Sequence, residues 1–595
     1  MASIASYLPF ATGTTSLQAS TYLFGVCLFS ISFLVFLNSS VSFVITDLIG
    51  VKDGVGDLVG TLGFVDELVA LVACPFWGIL SDRLGVRNVC AIGYAIVGIS
   101  LWLFVQARDV YPQLLLARIL FSTGGAATAT MVTAILPSMT GNKAEPVARD
   151  NCVDENLSVP GYLRDDMRPS ISDSLDSEIT ITPSNYNGMR RQSSKTKTSP
   201  KGSSPPRLAG LVGLFTGCGA LVALTLFLPL PAQFSQLKGI TQGQAVADGF
   251  YVVGSISLLV ALFCYIGLKG LQGEEDKGLG LLLGKSTANQ EYQTSNLSSE
   301  NNNEFSNQRN EFLPYWRLLF DSTILAFKDA QIGLGYLGGF VARASSVGIS
   351  LFIPLYINAY FIQNGFCKGS PNDPSPELKK ECRAAYVLAA ELTGISQLIA
   401  LLCAPIYGYL SDRYRRFNVP LLVSSIFGII GYIAFAQLRS PEFKDINGRG
   451  GGPVVFVIVA FIGISQIGAI VCSLGLLGRG VLGEEGGYNL SSQLQTGQTA
   501  QGIAPSDPTE TAPLIGTPMV TKGTTSRNHL KGSIAGVYSL SGGAAILLLT
   551  KLGGYLFDRL SPAAPFYMMA VFNAVLLVGG FGAGLYREVK LRQQK

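Results

Sequence analysis

Pro75-Phe76-Trp77-Gly78-Ile79-Leu80-Ser81-Asp82-Arg83-Leu84-Gly85-Val86-Arg87 closes a long apolar run and turns abruptly into charge. A near copy, Pro405-Ile406-Tyr407-Gly408-Tyr409-Leu410-Ser411-Asp412-Arg413-Tyr414-Arg415-Arg416, does the same in the second half. Gly78 and Gly408 allow two helices to approach closely, and the Asp82 and Asp412 carboxylates suit a neighbouring helix N-terminus, where unpaired amides favour an anion. Arg83, Arg87, Arg413 and Arg416 suit the anionic cytosolic face of a membrane, and Gly85 stands with them in the first junction. Two such junctions in the same order indicate a parallel duplication of a membrane domain.

Composition agrees. Of 595 residues, 48% are hydrophobic and 14% charged, whereas a soluble domain carries about 25% charge. The net charge is only +4 and the basic residues are scattered over loops, which gives no support to nucleic-acid binding. The first twenty residues lack the charged n-region and cleavage pattern of a secretory signal. Ten cysteines form no C-x-x-C pair and His529 is the single histidine, which argues against a zinc centre, a Cys/His nucleophile or a histidine proton relay.

Apolar runs long enough for a bilayer of ~30 Å number about twelve. They fall near Tyr22 to Ile45, Val59 to Leu80, Val89 to Gln106, Tyr111 to Leu136, Leu208 to Leu230 and Gly249 to Leu268, then Leu334 to Phe361, Ala384 to Leu410, Val419 to Leu438, Val454 to Leu477, Ile534 to Leu556 and Ala563 to Leu585. The expected organisation is an N-terminal bundle over 22–140 and 208–268 and a C-terminal bundle over 329–479 and 531–586, with cytosolic ends at 1–21 and 587–595. Segments 141–207, 269–312 and 480–530 lack apolar periodicity and are expected to be disordered cytosolic inserts, and 313–328 to lie along the interface. Lys and Arg concentrate in the segments that this arrangement puts in the cytosol. The repeat recurs in helices five and eleven, where Ala209-Gly210-Leu211-Val212-Gly213-Leu214-Phe215 parallels Ala535-Gly536-Val537-Tyr538-Ser539-Leu540-Ser541.

The pattern G-x-L-S-D-R-x-G-x-R at Gly78 to Arg87 resembles the loop signature between helices two and three of the major facilitator superfamily, and its twin stands where that family repeats it, between helices eight and nine. The resemblance implies an all-α membrane protein with twelve transmembrane helices in two six-helix bundles. It also implies a secondary transporter working by alternating access, with Asp82 gating against the start of helix eleven and Asp412 against the start of helix five. It looks most like drug:proton antiporter-type and fungal vacuolar-membrane members. Arg118-Ile119-Leu120-Phe121-Ser122-Thr123-Gly124-Gly125-Ala126-Ala127 is similar to the family's helix-four motif, whose arginine is linked to proton transfer, although the spacing differs. The antiporter motif of helix five normally carries Gly-Pro; here Gly217 precedes Cys218.

Ionisable residues inside a membrane are costly, about 2.5 to 3.5 kcal/mol on insertion scales, so those kept there are functional candidates. Asp66 and Glu67 of helix two, Arg118 of helix four and Glu391 of helix eight are proton-coupling candidates; Asp66, Glu67 and Glu391 alternatively sit solvated at a helix mouth, and Arg118 alternatively snorkels to the surface. Arg343, well inside helix seven, binds an anionic solute group, or else takes part in a structural ion pair or snorkels to the cytosol. Asn38, Tyr356, Asn358 and Gln466 are neutral cavity candidates. Cys367 and Cys382 share a loop on the non-cytosolic side and suit a disulfide. Glu510-Thr511-Ala512-Pro513-Leu514-Ile515 has the form of an acidic dileucine signal, in which Glu510, Leu514 and Ile515 would engage sorting adaptors and direct the protein to a vacuolar or lysosomal membrane, with the plasma membrane as the alternative.

The expected partners are a small-molecule solute, protons and the lipid bilayer, with no nucleic acid, no metal and no cofactor, and the protein is expected to be a monomer and not an enzyme. Proton-coupled symport is the alternative to efflux or vacuolar sequestration, and a transporter-like receptor or scaffold is the alternative class. Gly280 to Ser286 and Gly333 to Gly338 approach nucleotide-binding patterns but lack the strand context those sites require.

Overall fold

The computed structural model describes residues 9–11, 13–51, 55–140, 204–236, 241–274, 277–278, 315–364, 383–414, 418–443, 451–483, 527 and 530–593. Arg416, Cys367, Cys382 and the Glu510, Leu514, Ile515 motif lie outside them, as does most of the three inserts.

Among the described residues, twelve helices are long and apolar enough to cross a membrane. They are α1 Ser16–Ile49, α2 Leu58–Leu84, α3 Val86–Phe104, α4 Val110–Thr140, α5 Pro205–Phe227, α6 Gln242–Gly267, α7 Ala330–Gln363, α8 Val387–Arg413, α9 Val419–Ala436, α10 Val454–Leu482, α11 Lys531–Arg559 and α12 Ala564–Val589. Among the described residues there is no strand. Burial is uneven because the lipid-facing side of each helix stays apolar: Val72, Leu259 and Val578 are 73%, 66% and 71% exposed.

The ends of the helices follow local chemistry. Thr241 accepts from the Gln244 amide and so caps α6, while Asp329 accepts from the Gln331 amide and caps α7. Pro205 and Pro206 open α5, where a missing N–H is harmless. That places Arg207 inside the helix, although the sequence assigns it to the insert. Gly85 turns α2 into α3 with φ of 91°, a conformation that a side chain would strain.

The two halves meet through α2 with α11 and α5 with α8, supplemented by α4 and α5 against α10. Small residues make these contacts close: a Cβ on Gly78 would stand 2.8 Å from the Gly536 Cα, and one on Gly408 would stand 2.9 Å from the Gly210 Cα. The duplication is also written in the backbone. Wide π-type turns occur at Ala223–Phe227 of α5 and Leu549–Gly553 of α11, equivalent places under the register that aligns Ala209 with Ala535. Tyr315–Lys328 forms an amphipathic helix against α7 and α11, with Leu318 buried and Phe320 and Phe327 exposed at 64% and 90%.

Candidate functional site

At the face carrying the two signature junctions, the halves are closed on each other. Asp82 is buried, and its Oδ1 accepts from the Gly532 amide at 2.7 Å while its Oδ2 accepts from the Ser533 amide at 2.7 Å and the Ser533 hydroxyl at 2.6 Å. These donors form the N-terminus of α11, whose unpaired amides and dipole favour an anion. On the other side of the pseudo-twofold axis, Asp412 Oδ1 accepts from Ser204 Oγ at 2.6 Å and its Oδ2 pairs with Arg207 Nε at 2.6 Å. The structure thus brings Asp82 to the start of α11 and Asp412 to the start of α5.

Beside Asp82 lies a contact that sequence alone does not reveal. Leu268 and Leu271 stay buried at 1% and 2%, so the chain leaving α6 remains on the bundle and delivers Glu274 to the junction. Glu274 Oε2 accepts from the Val86 amide at 2.7 Å, capping α3, while Oε1 pairs with Lys531 Nζ at 2.6 Å and Lys277 Nζ at 3.1 Å. Lys531 also donates to Ser138 of α4 at 2.6 Å. The polar run Glu274-Glu275-Asp276-Lys277 gives a solvated appearance in sequence; the one available signal was an otherwise unexplained lysine at the apolar start of α11. Arg87 packs over the Tyr265 ring at 4.0 Å and donates to the Tyr265 carbonyl at 2.6 Å, both within the N-terminal half.

Between the halves lies a cavity of about 230 Å³. Ser30, Ala129, Thr133, Gly213, Thr216 and Gly217 line it from the N-terminal half, and Arg343, Ser346, Gln397, Leu401, Gln466 and Tyr538 from the C-terminal half. Arg343 stands 13 residues into α7, roughly 20 Å from its start, which is near the middle of a bilayer core of ~30 Å. Gln466 Nε2 donates to Ser346 Oγ at 2.9 Å. Gln397 occupies the place that Glu67 holds in the first half, under the register that aligns Asp82 with Asp412.

The second polar site is inside the N-terminal half. Arg118 Nη2 donates to Asp66 Oδ2 and to Asn38 Oδ1, both at 2.5 Å, and Ser122 Oγ donates to the Asp66 carbonyl at 2.8 Å. Arg118 is 2% and Asp66 8% exposed, so the arginine does not snorkel to the surface and the aspartate is not solvated at a helix mouth. Asp66 Oδ1 and the Arg118 Nε and Nη1 atoms are buried without a hydrogen-bond partner. Along α4, Arg118 is 11 residues before Ala129, hence roughly 16 Å from the cavity wall toward the opposite face. Glu67, half-buried on the next position of α2, stands within electrostatic reach of both Arg118 and Arg343.

Other candidates separate from these sites. Asn38, expected at the cavity, is instead the acceptor for Arg118. Tyr356 packs edge-on against Phe566 at 5.6 Å and donates to the Leu438 carbonyl at 3.4 Å, and neither it nor Asn358 lines the cavity. The reason is the wide turn Gly348–Phe352 followed by Pro354, which rotates the face of α7 between Ser346 and Tyr356. Glu391 is exposed on α8, remote in register from Gln397. Among the described residues, no group of three or more His, Cys, Asp or Glu could hold a metal ion.

A search of curated proteins finds no significant sequence relative. Among solved structures, a double-tryptophan mutant of XylE aligns with a TM-score of 0.50 and 10% identity, covering 95% of this chain and 94% of that one. FucP in its outward conformation aligns at 0.48 and 12% identity, covering 96% and 98%. The human organic anion transporter MFSD10 aligns at 0.47 and 10% identity, covering 95% and 99%. The Major Facilitator Superfamily sequence profile matches residues 28–148 and 193–505, which is most of the chain. With that match, the duplicated junctions and the twelve helices, this chain belongs to the major facilitator superfamily.

Proposed function

We propose that the protein is a secondary active transporter that moves a small polar solute by alternating access and couples it to protons, in the direction of export or vacuolar sequestration. The observation that carries this is the cavity of about 230 Å³ built from both halves and closed at the junction face. Its size lies below the ~300 to 1,000 Å³ of drug-sized pockets, so a metabolite-sized solute fits better than a bulky lipophilic drug.

The proton-coupling assignment rests on the Asp66–Arg118 pair. A buried carboxylate held by an arginine inside the bilayer is costly to keep, and protonating Asp66 would release Arg118 and Asn38 to rearrange. Glu67, next to it and within reach of Arg343, is the link from this pair to the cavity. The junction face is assigned to the cytosol on its arginines, and the Glu510, Leu514, Ile515 motif supports vacuolar or lysosomal delivery.

The test is solute-driven proton movement in proteoliposomes loaded with a pH dye, using a panel of small polar solutes. An accepted solute is expected to shift lumenal pH, and Asp66→Asn to remove the shift while leaving solute exchange. Alkalinisation on solute entry signifies antiport, and acidification signifies symport and overturns the export assignment. Solute exchange without proton movement overturns coupling; no exchange with any solute overturns transport.

A further inference from the structure

We infer that the cavity selects a small organic monoanion bearing a hydrogen-bond donor, of which a short 2-hydroxy carboxylate is the simplest form. This rests on the transporter assignment above and names the substrate class of the same site.

Three observations converge. First, Arg343 is the one charged side chain on the cavity wall among the described residues, and none of them places a carboxylate within ion-pair distance of it. A guanidinium cannot shed its proton, so near the middle of the membrane it needs an anion or a hydrated cleft. A cationic solute would be repelled there, and a neutral one would leave Glu67 of α2, beyond ion-pair distance, as the counter-charge, so an anion in the cavity is favoured.

Second, the neighbouring helix is shaped to seat this arginine. A Cβ on Gly542 of α11 would stand 2.6 Å from Arg343 Cγ, so the glycine is what allows the stem to lie against α11 and hold the head at the cavity. An arginine merely extending toward solvent would not require that space.

Third, Gln466 presents an acceptor with no donor. Ser346 Oγ gives its proton to the Ala342 carbonyl at 3.1 Å, so toward Gln466 it must accept, which fixes the Gln466 amide with Nε2 on Ser346 at 2.9 Å. Oε1 is thereby committed to the other direction, and it is buried without a partner. Buried acceptors are normally satisfied, so a hydroxyl on the solute completes it. Ser346 follows Arg343 by three residues on α7, which puts the cation and the serine that holds Gln466 on one face of that helix, and all three line the same cavity.

The experiment uses the purified full-length protein in lipid nanodiscs, with thermal unfolding and isothermal titration read against 2-hydroxy acids of three to six carbons, the matching acids without the hydroxyl, glycerol and choline. The 2-hydroxy acids are expected to stabilise and bind, the plain acids to bind more weakly, and glycerol and choline to have no effect. Arg343→Gln should weaken binding about 10- to 100-fold, with Arg343→Lys retaining part of it. Gln466→Leu should erase the difference between hydroxy and plain acids while both still bind. If Arg343→Gln does not fold, Arg343→Lys and Gln466→Leu carry the test.

Stabilisation by glycerol or choline equal to that by the acids, binding unchanged in the Arg343 variants, or no binding by any acid overturns the inference. Counterflow in proteoliposomes keeps the two claims apart. Anion binding without counterflow sinks the transport assignment and leaves the site, whereas counterflow of neutral solutes with no response to acids sinks the substrate class alone.

Discussion

Replacing Asp82 by asparagine should open the junction face. In the structure Asp82 receives three hydrogen bonds of 2.6 to 2.7 Å, all from Gly532 and Ser533 at the start of α11 in the opposite half. Hydrogen bonds to a charged group contribute roughly 1.5 to 3 kcal/mol each before the burial cost of the carboxylate is set against them. Asparagine keeps one acceptor, loses the charge that suits a helix N-terminus, and turns an NH2 toward an amide that also donates. A net loss of about 3 kcal/mol is therefore a reasonable size. None of these bonds survives separation of the halves, so the whole loss falls on the closed state and moves the equilibrium by about two orders of magnitude. Ser138 reports it: the residue is 7% exposed and accepts from Lys531 across the halves. A single Ser138→Cys reporter in a cysteine-free background should react with a membrane-impermeant maleimide about 100-fold faster when Asp82→Asn is present. An unchanged rate, with an unchanged melting temperature, refutes the reasoning.

Other outcomes follow from the same geometry. Asp412→Asn should raise the same reporter rate by less, because Arg207 is 43% exposed and water screens its pair. Gly408→Val should prevent closure, since its Cβ would meet the Gly210 Cα and the Pro206 carbonyl at 2.9 Å; Gly394→Val, with nothing within 4 Å, should leave the rate unchanged. Asp66→Asn or Arg118→Gln alone should each cost about 3 to 5 kcal/mol in thermal unfolding by stranding a buried charge, and the double variant should recover most of it. Glu274→Gln should increase Ser138→Cys reactivity as Lys531→Met does, the two effects being non-additive because they break one ion pair.

The duplicated junctions made the fold legible, since a glycine, an aspartate and arginines at the end of two apolar runs carry their own structural instructions. That Asp82 and Asp412 would seek a helix N-terminus was legible for the same reason, whereas the choice of helices eleven and five came from the family resemblance. Where the sequence misled, the cause was local geometry. On α7, Arg343 and Tyr356 both read as cavity candidates, yet the wide turn at Gly348–Phe352 and Pro354 put Tyr356 among Phe435 and Phe566, away from the cavity. Glu274 was hidden because a run of four charged residues resembles solvent-facing loop, and only the fold shows that Leu268 and Leu271 pin it against α3 and α11. Gln466 was identifiable as a polar residue in an apolar helix; its unmatched acceptor was not.

The claim beneath all of this is that the two six-helix halves rock reciprocally about the Arg343 cavity. The direct measurement is a pair of spin-label distances in the full-length protein: Lys269 to Tyr414 across the junction face, and Gln106 to Gln437 across the opposite face, all four being exposed positions. Introducing Asp82→Asn should lengthen the first distance and shorten the second in the same sample. A junction distance that grows while the opposite distance stays fixed, or two distances that do not move, would contradict the account.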